Sequence, residues 1–499
     1  MLIKDIINNL DEEGFSLLHW NAREGNAEIV QKLIDKGANI EIKDKENGST
    51  PLLWACQNGH TDVVKVLLNS GANVMASSLQ NLTALHFATE SGEDELIETL
   101  INCGLDVNAR DNTIWELTPL LRICRMRKSS GIQKLIDLGA DMEIKDKKHD
   151  ATAFLWACQK GNINAAKILL ENGVNFNATS SNGSTALHFV GESGKSDLIE
   201  TLLDCGLDVD VKDTSTREET PLLRACRIGN FYDTKENIGD LDSKDKKSVV
   251  EMLIDKGANL NATSEHGLTA LHYATQRGQF EIVKRLVNKG ANINAKAFKE
   301  QIVPLFEACR IGRKDIAQYL IENGANTFAR KKPNNSSCLH VASRKGHVEV
   351  MKLLLEKGLE MNIRDSVGDT PFLRTCRFGQ PKATKFLIEN GANMQDEDEY
   401  GFSALHITAK YDGKFGNLLE VAKILLENGT DPSKENTFQR LSPIHLAVMK
   451  ANLAFIKLLF DFRNRFDIRD RNDNNAIEFV FTKKQQDAMR MILFYFHQY

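Results

Sequence analysis

The sequence predicts an all-α solenoid built from repeated pairs of short helices, and two observations carry this prediction. First, a four-residue phrase with Thr first and Leu third begins at Thr50, Thr83 and Thr118, at intervals of 33 to 35 residues. Second, the phrase continues along most of the chain, at Thr152, Thr185, Thr220, Thr269, Val303, Ser337, Thr370, Ser403 and Ser442, with a degraded version at Ser16. Because stacked repeats form an extended surface and not an enclosed pocket, the first expectation for function is binding and not catalysis.

The repeat at residues 267–295 shows why each element should form. Thr269 suits the N-terminal cap of a short first helix, because its hydroxyl can accept a hydrogen bond from an exposed backbone N–H. Leu271 and Ala274 should face inward from this helix, and Gly278 should end it in the left-handed conformation. The second helix should carry its apolar stripe at four positions, Ile282, Val283, Leu286 and Val287. Each helix thus offers one apolar side, and the two sides should pack together.

These sequences resemble the ankyrin repeat. The matching segments of the eighth repeat are Thr269-Ala270-Leu271-His272, Gly278, Ile282-Val283, Leu286 and Gly290-Ala291-Asn292-Ile293-Asn294-Ala295. The resemblance implies an ankyrin-repeat solenoid, a curved superhelical array with a helix-turn-helix and a hairpin-like loop in each repeat. We expect an N-terminal capping helix at residues 1–13, thirteen repeats at 14–472 and a degenerate C-terminal capping repeat at 473–499.

Two regularities run through the array. Repeats capped by Thr83, Thr185, Thr269, Ser337 and Ser403 carry His three positions after the cap, whereas several of their neighbours carry Leu or Phe there. In ankyrin proteins this His forms hydrogen bonds within and between repeats, so the alternation predicts two kinds of contact between repeats. In addition, a block of three repeats is duplicated with a shift of 102 residues, since Trp54-Ala55-Cys56-Gln57 returns as Trp156-Ala157-Cys158-Gln159.

The bulk composition excludes several classes of protein. A formal net charge of -5 and a pI near 6.2 argue against a protein that coats nucleic acid. The sequence contains no run of 18 or more apolar residues, so we expect no membrane span. Residues 1–10 carry an acid and no long apolar stretch, which makes them a poor signal peptide. These features predict a cytoplasmic protein, with the nucleus as the alternative, and we expect a monomer.

The residues that usually carry catalytic or metal chemistry are explained by the repeats. Six of the nine cysteines occupy the same position of a first helix, where ankyrin repeats usually carry Ala. Stacked helices lie about 8–10 Å apart, whereas a disulfide needs Cα atoms within about 7 Å. We therefore expect buried free thiols, and no catalytic residue, no cofactor and no metal site. The predicted protein is not an enzyme.

The predicted partner surface is the concave face. In ankyrin arrays this groove is lined by hairpin tips and by the two residues just before the Gly that ends the first helix. From the seventh repeat onward every such pair holds a base and none holds an acid. The predicted partner-binding residues are Arg227, Arg277, Arg310, Arg344, Lys345, Arg377, Phe378, Lys410 and Tyr411, with Arg224 and Arg374, four residues after their capping Thr, as additions. The alternative interpretation is that these long side chains only keep an exposed helix face hydrated and bind no partner.

Three functions are compatible with such a chain. The first is a non-enzymatic scaffold or adaptor that holds a protein partner, an acidic segment, along the concave surface, with arginines set one per repeat in a ladder. The second is a regulatory ankyrin module of a larger or truncated protein. The third is a sensor of an anionic ligand or RNA that uses the basic half of the groove, although the acidic net charge disfavours nucleic acid.

Deletion of residues 231–247 should leave folding almost unchanged. This segment is an insertion in the seventh repeat, rich in Asp and Lys, and it adds charge and almost no apolar surface at a loop. Circular dichroism and the melting temperature of the deletion variant should match those of the parent. A loss of more than about 2 kcal/mol in unfolding free energy would instead show that the segment packs against the repeats.

Overall fold

The computed structural model describes residues 6–228, 248–410, 417–462, 469–472, 474–475 and 478. Tyr411, the predicted insertion at 231–247 and most of the predicted C-terminal capping repeat lie outside these residues. The described part of the chain is all-α, as predicted, and contains thirteen successive helix pairs. These helices are 6 to 10 residues long, and none of them has both the length and the apolarity to cross a bilayer.

The first compact unit comprises residues 1–265, and its described helices form seven pairs. In chain order they are α1 (Leu17–Glu24), α2 (Ala27–Asp35), α3 (Pro51–Gln57), α4 (Thr61–Asn69), α5 (Ala84–Ser91), α6 (Asp94–Asn102), α7 (Pro119–Arg125), α8 (Ile132–Asp137), α9 (Ala153–Lys160), α10 (Ile163–Glu171), α11 (Ala186–Ser193), α12 (Ile199–Asp204), α13 (Pro221–Ile228) and α14 (Val249–Asp255). A 3-10 turn at Ser196–Leu198 leads into α12. Each odd-numbered helix packs on its even-numbered partner, and those from α1 to α11 each also pack on the next odd-numbered helix of this unit.

The second unit comprises residues 266–499 and repeats this packing with six described helix pairs. They are α15 (Ala270–Arg277), α16 (Phe280–Asn288), α17 (Pro304–Ile311), α18 (Lys314–Glu322), α19 (Cys338–Lys345), α20 (Val348–Glu356), α21 (Pro371–Arg377), α22 (Pro381–Glu389), α23 (Ala404–Lys410), α24 (Leu418–Glu427), α25 (Pro443–Met449) and α26 (Leu453–Asp461). Two strands of two residues each, β1 (Arg330–Lys331) and β2 (Ser336–Ser337), pair in antiparallel orientation, with Arg330 opposite Ser337.

The ends of the first helices follow from local chemistry. Thr269 has an extended backbone (φ -94°, ψ 171°) and forms a reciprocal capping box with His272 at the start of α15. Gly278 ends α15 with φ 73°, in the left-handed region that glycine tolerates best. Arg127, which replaces this glycine in the fourth repeat, is forced to φ 64°. The cap and stop residues predicted from the sequence are therefore confirmed in the eighth repeat.

The core is a continuous layer of apolar side chains between the helices of each unit. In the eighth repeat Leu271 and Ala274 of α15 are fully buried, and so are Val283 and Leu286 of α16. Burial of one such Leu or Val contributes about 1.5–3 kcal/mol. Because each repeat supplies only a few such residues, its stability depends on the neighbouring repeats.

In seven of the described repeats a histidine side chain bridges to the backbone of the next repeat. In the eighth repeat the backbone N–H of Thr269 donates to His272 Nδ1 at 3.1 Å, so the ring proton lies on Nε2. That nitrogen donates to the carbonyl oxygen of Ile302 in the next repeat, at 2.9 Å. The same bridge links His19 to Ser49, His86 to Leu117, His188 to Glu219, His340 to Asp369, His406 to Leu441 and His445 to Asn474. The prediction of two kinds of contact between repeats is thereby confirmed.

Candidate functional site

Arg224 does not lie on an exposed basic surface. The residue is 4% exposed and sits within the first unit. Its guanidinium pairs with the buried carboxylate of Asp213, donates to Ser184 Oγ at 2.8 Å and contacts Glu192 Oε1 at 3.3 Å. The expectation that Arg224 adds to an exposed groove is therefore corrected, because these groups already use its charge.

Arg374 is buried in the second unit by the same arrangement. Its Nε donates to Asp365 Oδ2 at 2.9 Å and lies 3.1 Å from Asp369 Oδ2. Both carboxylates are fully buried, so the arginine neutralises charges that water cannot reach. Arg374 is removed from the proposed partner surface for this reason.

The two buried arginines occupy a position that has the same role in other repeats. Arg224 and Arg374 stand four positions after their capping Thr, where two other repeats carry Trp. The indole Nε1 of Trp54 donates to Asp44 at 2.9 Å, and that of Trp156 donates to Asp146 at 3.0 Å. These positions thus supply a donor to a buried Asp that precedes the same helix, and they serve the repeat itself.

Two further predicted arginines are largely committed to internal ion pairs. Arg227 Nε lies 2.6 Å from Glu219 Oε1 in the first unit. Arg377 lies 2.6 Å from Asp369 Oδ1 and 3.0 Å from Asp398 Oδ2 in the second. Burial raises the pKa of the Asp369 carboxyl, and the facing arginines oppose that shift. Both arginines are partly accessible, but their charges are balanced locally.

Arg310 is partly exposed and also takes part in an internal ion pair. Its side chain is 41% exposed, yet its Nε lies 2.6 Å from the carboxylate of Glu307, which is buried in α17. A charge reversal at Arg310 would place two carboxylates side by side, one of them buried. Reversal of the charge at Arg310 should therefore destabilise the repeat as well as change the surface.

Two exposed cations of the predicted site, Arg344 and Lys345, are consecutive at the end of α19. Arg344 and Lys345 are both exposed, and the Arg344 guanidinium lies 4.6 Å from the ring centroid of Phe378. Neither Arg344 nor Lys345 pairs with a carboxylate among the residues that the structure describes. Arg277 is exposed at the end of α15, and Lys410 places its ammonium 4.5 Å from the Phe402 ring centroid. Tyr411, the last predicted site residue, lies outside the described residues.

Sequence analysis missed four exposed aromatic side chains on the hairpins of the second unit. They are each more than half exposed and lie between the second helix of one repeat and the first helix of the next: Phe298, Phe328, Tyr400 and Phe438. The signal was available, since each of these aromatics stands next to polar or charged residues in the sequence. Gly267 lies so close to Phe298 that a Cβ there would be 2.7 Å from the ring. Exposed aromatics of this kind are enriched where proteins bind partners.

Seven of the nine cysteines are buried free thiols, whereas Cys103 is exposed and Cys205 is partly exposed. Burial raises the pKa of the Cys124, Cys226 and Cys376 thiols to about 12, so they stay protonated at neutral pH. The neighbouring Cys338 thiol and burial raise the pKa of the Cys309 thiol well above its ordinary value, an effect that sequence analysis did not foresee. Within the described ranges, no group of three or more His, Cys, Asp or Glu side chains could hold a metal ion.

Comparison with known families returns one match that covers most of the chain. A family model described as ankyrin repeats (3 copies) matches residues 18–111, 120–213, 209–297, 297–365 and 339–436. These segments overlap the stacked helix pairs of both units except the last pair, α25 and α26.

Curated relatives match shorter segments. The Tyrosine-protein kinase HTK16 of Hydra vulgaris is 35% identical over 130 residues, which cover 25% of this chain and 15% of the kinase. The Putative ankyrin repeat protein YahD of Escherichia coli (strain K12) is 27% identical over 182 residues, 36% of this chain and 82% of YahD. The NF-kappa-B inhibitor delta of Mus musculus is 31% identical over 98 residues, 19% of this chain and 28% of the inhibitor. The chain thus spans only a small part of the kinase and of the inhibitor.

Proposed function

The chain belongs to the ankyrin-repeat family, and from that premise we propose that it is a non-enzymatic scaffold or adaptor that binds an acidic segment of a protein partner. Ankyrin repeats are typically protein-interaction modules. We place the partner on the second unit, against Arg277, Arg344 and Lys345 and the adjoining aromatic side chains. The protein would act as a single chain in the cytoplasm or nucleus, where free thiols persist.

One contrast among the basic residues supports this proposal. Arg374 and Arg377 face buried carboxylates, so their charges stabilise the repeat. Arg344 and Lys345 are consecutive, exposed and unopposed by any carboxylate among the described residues. The Arg344 guanidinium rests on the Phe378 ring, which holds its charge at the surface. A charge that no described carboxylate neutralises remains available to a ligand.

The chemistry of these cations favours carboxylates. Arginine presents several N–H donors in a planar fork that matches a carboxylate, and lysine adds a mobile charge. Exposed aromatic rings such as Phe298 and Tyr400 can cover apolar side chains between the acidic ones. Since exposed charges are screened by salt, binding should weaken as ionic strength rises.

A double charge reversal should identify the surface. We expect Arg344→Glu with Lys345→Glu to weaken the binding of acidic peptides at low salt by about tenfold or more, because like charges then face each other. The measurement is fluorescence anisotropy with length-matched acidic, neutral and basic peptides. Acidic peptides should bind the parent most tightly.

A matched control lies in the same repeat. Lys352→Glu with Lys357→Glu reverses two exposed charges on and just after α20, the second helix, so it changes the net charge equally. This control should bind acidic peptides about as tightly as the parent does. If both double variants weaken the binding of acidic peptides equally, the effect is due to net charge alone. That result would contradict the assigned surface. Preferential binding of single-stranded RNA over acidic peptides would favour the anion-sensor alternative.

A further inference from the structure

A cavity of about 190 Å³ lies in the first unit, apart from the cationic surface of the second. It is bounded by helices α9, α11 and α13 and by the segments that precede α9 and α11. The side chains that matter for its chemistry are Trp156, Gln159, Asn182, Phe189, Glu192 and Arg224. Gln159 and Glu192 belong to the residue pairs that the sequence predicts to face the groove, so the cavity opens on the predicted binding face.

One wall of the cavity is a preorganised aromatic cluster. The Trp156 indole is held by its Nε1, which donates to Asp146 Oδ2 at 3.0 Å. Its ring centroid lies 5.5 Å from that of Trp115 and 5.9 Å from that of His149, both edge to face. Trp115 and His149 stack at 4.8 Å. Such a cluster offers a fixed apolar face and costs little conformational entropy when a ligand binds.

The other end of the cavity is polar and incompletely satisfied. Glu192 contacts Arg224 Nη1 at 3.3 Å through one oxygen and Gln159 Nε2 at 3.4 Å through the other. Arg224 Nε is buried without a hydrogen-bond partner, and Glu219 Oε2 is 3.9 Å from it. His149, which also lines the cavity, leaves its buried Nδ1 unpartnered. A buried donor without an acceptor is costly, so a ligand that brings an oxygen would be favoured.

The size of the cavity and the charges around it restrict the kinds of ligand that it can bind. Pockets for whole small ligands usually measure about 300–1,000 Å³, so this cavity suits a single side chain. Glu192 disfavours a carboxylate, while Lys160, whose ammonium lies 5.4 Å from the Trp156 ring centroid, disfavours a cation. An uncharged aromatic ring with a hydroxyl group satisfies both the apolar wall and the unpaired nitrogens.

We propose that this cavity binds the tyrosine side chain of a protein partner, with the ring against Trp156 and Phe189 and the hydroxyl toward Arg224. The proposal shares with the proposed function only the idea that the ligand is a protein. It concerns a different unit and different residues, so a failure at Arg344 and Lys345 would leave it standing.

The test uses tyrosine and phenylalanine side-chain analogues. We expect p-cresol to bind the full chain saturably and to change the tryptophan fluorescence, and toluene to bind about fivefold more weakly because it lacks the hydroxyl. Ligand-observed NMR provides an independent readout. Equal affinity for the two probes, or no saturable binding of p-cresol, would overturn the proposal.

The duplicated block provides matched controls. Gln159→Phe should fill the cavity and abolish p-cresol binding, whereas Gln57→Phe, at the equivalent position of the second repeat, should leave it unchanged. Gln57 contacts Glu90 as Gln159 contacts Glu192, so the two substitutions disturb similar surroundings. Ser181→Leu is a second blocking variant that should fold normally, because Leu79 occupies the equivalent position. Undiminished binding in both blocking variants would place the p-cresol site elsewhere and contradict the assignment.

Discussion

Replacing Arg374 with Met should lower the free energy of unfolding of the second unit by about 3–5 kcal/mol, the usual cost of removing one partner from a buried ion pair. Asp365 and Asp369 have fully buried side chains, and Arg374 lies within 3.1 Å of both. Methionine fills a similar volume but leaves these carboxylates without their cation. Arg377 still faces Asp369 in the variant, so Asp365 should carry most of the penalty.

Urea unfolding and amide hydrogen exchange should both report this loss. Exchange should accelerate first in α21, because a repeat array can open locally before it unfolds as a whole. Arg344→Met is the control, since an exposed arginine removed from α19 should change stability by only about 0.5 kcal/mol or less. If Arg374→Met unfolds at the same urea concentration as Arg344→Met, the buried pair contributes nothing of note.

Acidification should destabilise the array through its bridging histidines. Burial lowers the pKa of His188, His272, His340 and His406 to about 4 in the folded protein. The ordinary histidine pKa is about 6.5. At about 1.4 kcal/mol per pKa unit, each of the four shifts corresponds to a free energy of about 3 kcal/mol. Few single features of the chain should have a larger effect on its stability.

The direction of this effect follows from proton binding. Between pH 6.5 and pH 4 the unfolded chain binds more protons at these four positions than the folded chain does. The free energy of unfolding should therefore fall as the pH falls through this window, with no further loss from these histidines below about pH 4. Above pH 6.5 their contribution should be fully present. Protonation of Nδ1 would also place a proton against the N–H of the capping residue.

His272→Leu isolates one bridge, and the protein itself carries Leu at the equivalent position of other repeats. The variant should be less stable at pH 7 by about 1–3 kcal/mol, because the Ile302 carbonyl loses its donor. The stability of the variant should depend less steeply on pH between 6.5 and 4. Its unfolded state no longer binds a proton at position 272 that its folded state lacks. Urea unfolding at several pH values measures both quantities. If the free energy of unfolding depends on pH equally in the parent and the variant, His272 does not form its bridge as a neutral side chain.

The features that the sequence predicted well depend on residues within one repeat or its immediate neighbour. Thr269 caps α15, Gly278 ends it and His272 reaches the next repeat, as the repeat pattern indicates. Each role follows from one residue type at one spacing. The all-α fold then follows because every repeat offers the same apolar faces to the next.

The exposure of the arginines was harder to predict, because it depends on which carboxylate the fold brings near. Arg224 and Arg374 look like additions to a basic surface, yet Asp213 and Asp365 lie against them once the preceding hairpin folds back. Arg344 stays exposed because the ring of Phe378, and not a carboxylate, lies beneath it. A count of basic residues per repeat does not contain this information.

The duplication of three repeats has a consequence for the histidine bridges. Their alternation has a period of two, so an inserted block with an odd number of repeats shifts the phase, as a stacking fault does in a crystal. Leu121 and Leu155 consequently follow each other in consecutive repeats, where one of the two would otherwise be a bridging His. The repeat that carries Trp156 therefore lacks a histidine bridge on both of its sides. The cavity beside Trp156 lies at this fault, where the aromatic cluster of Trp115, His149 and Trp156 joins neighbouring repeats in the absence of a histidine bridge.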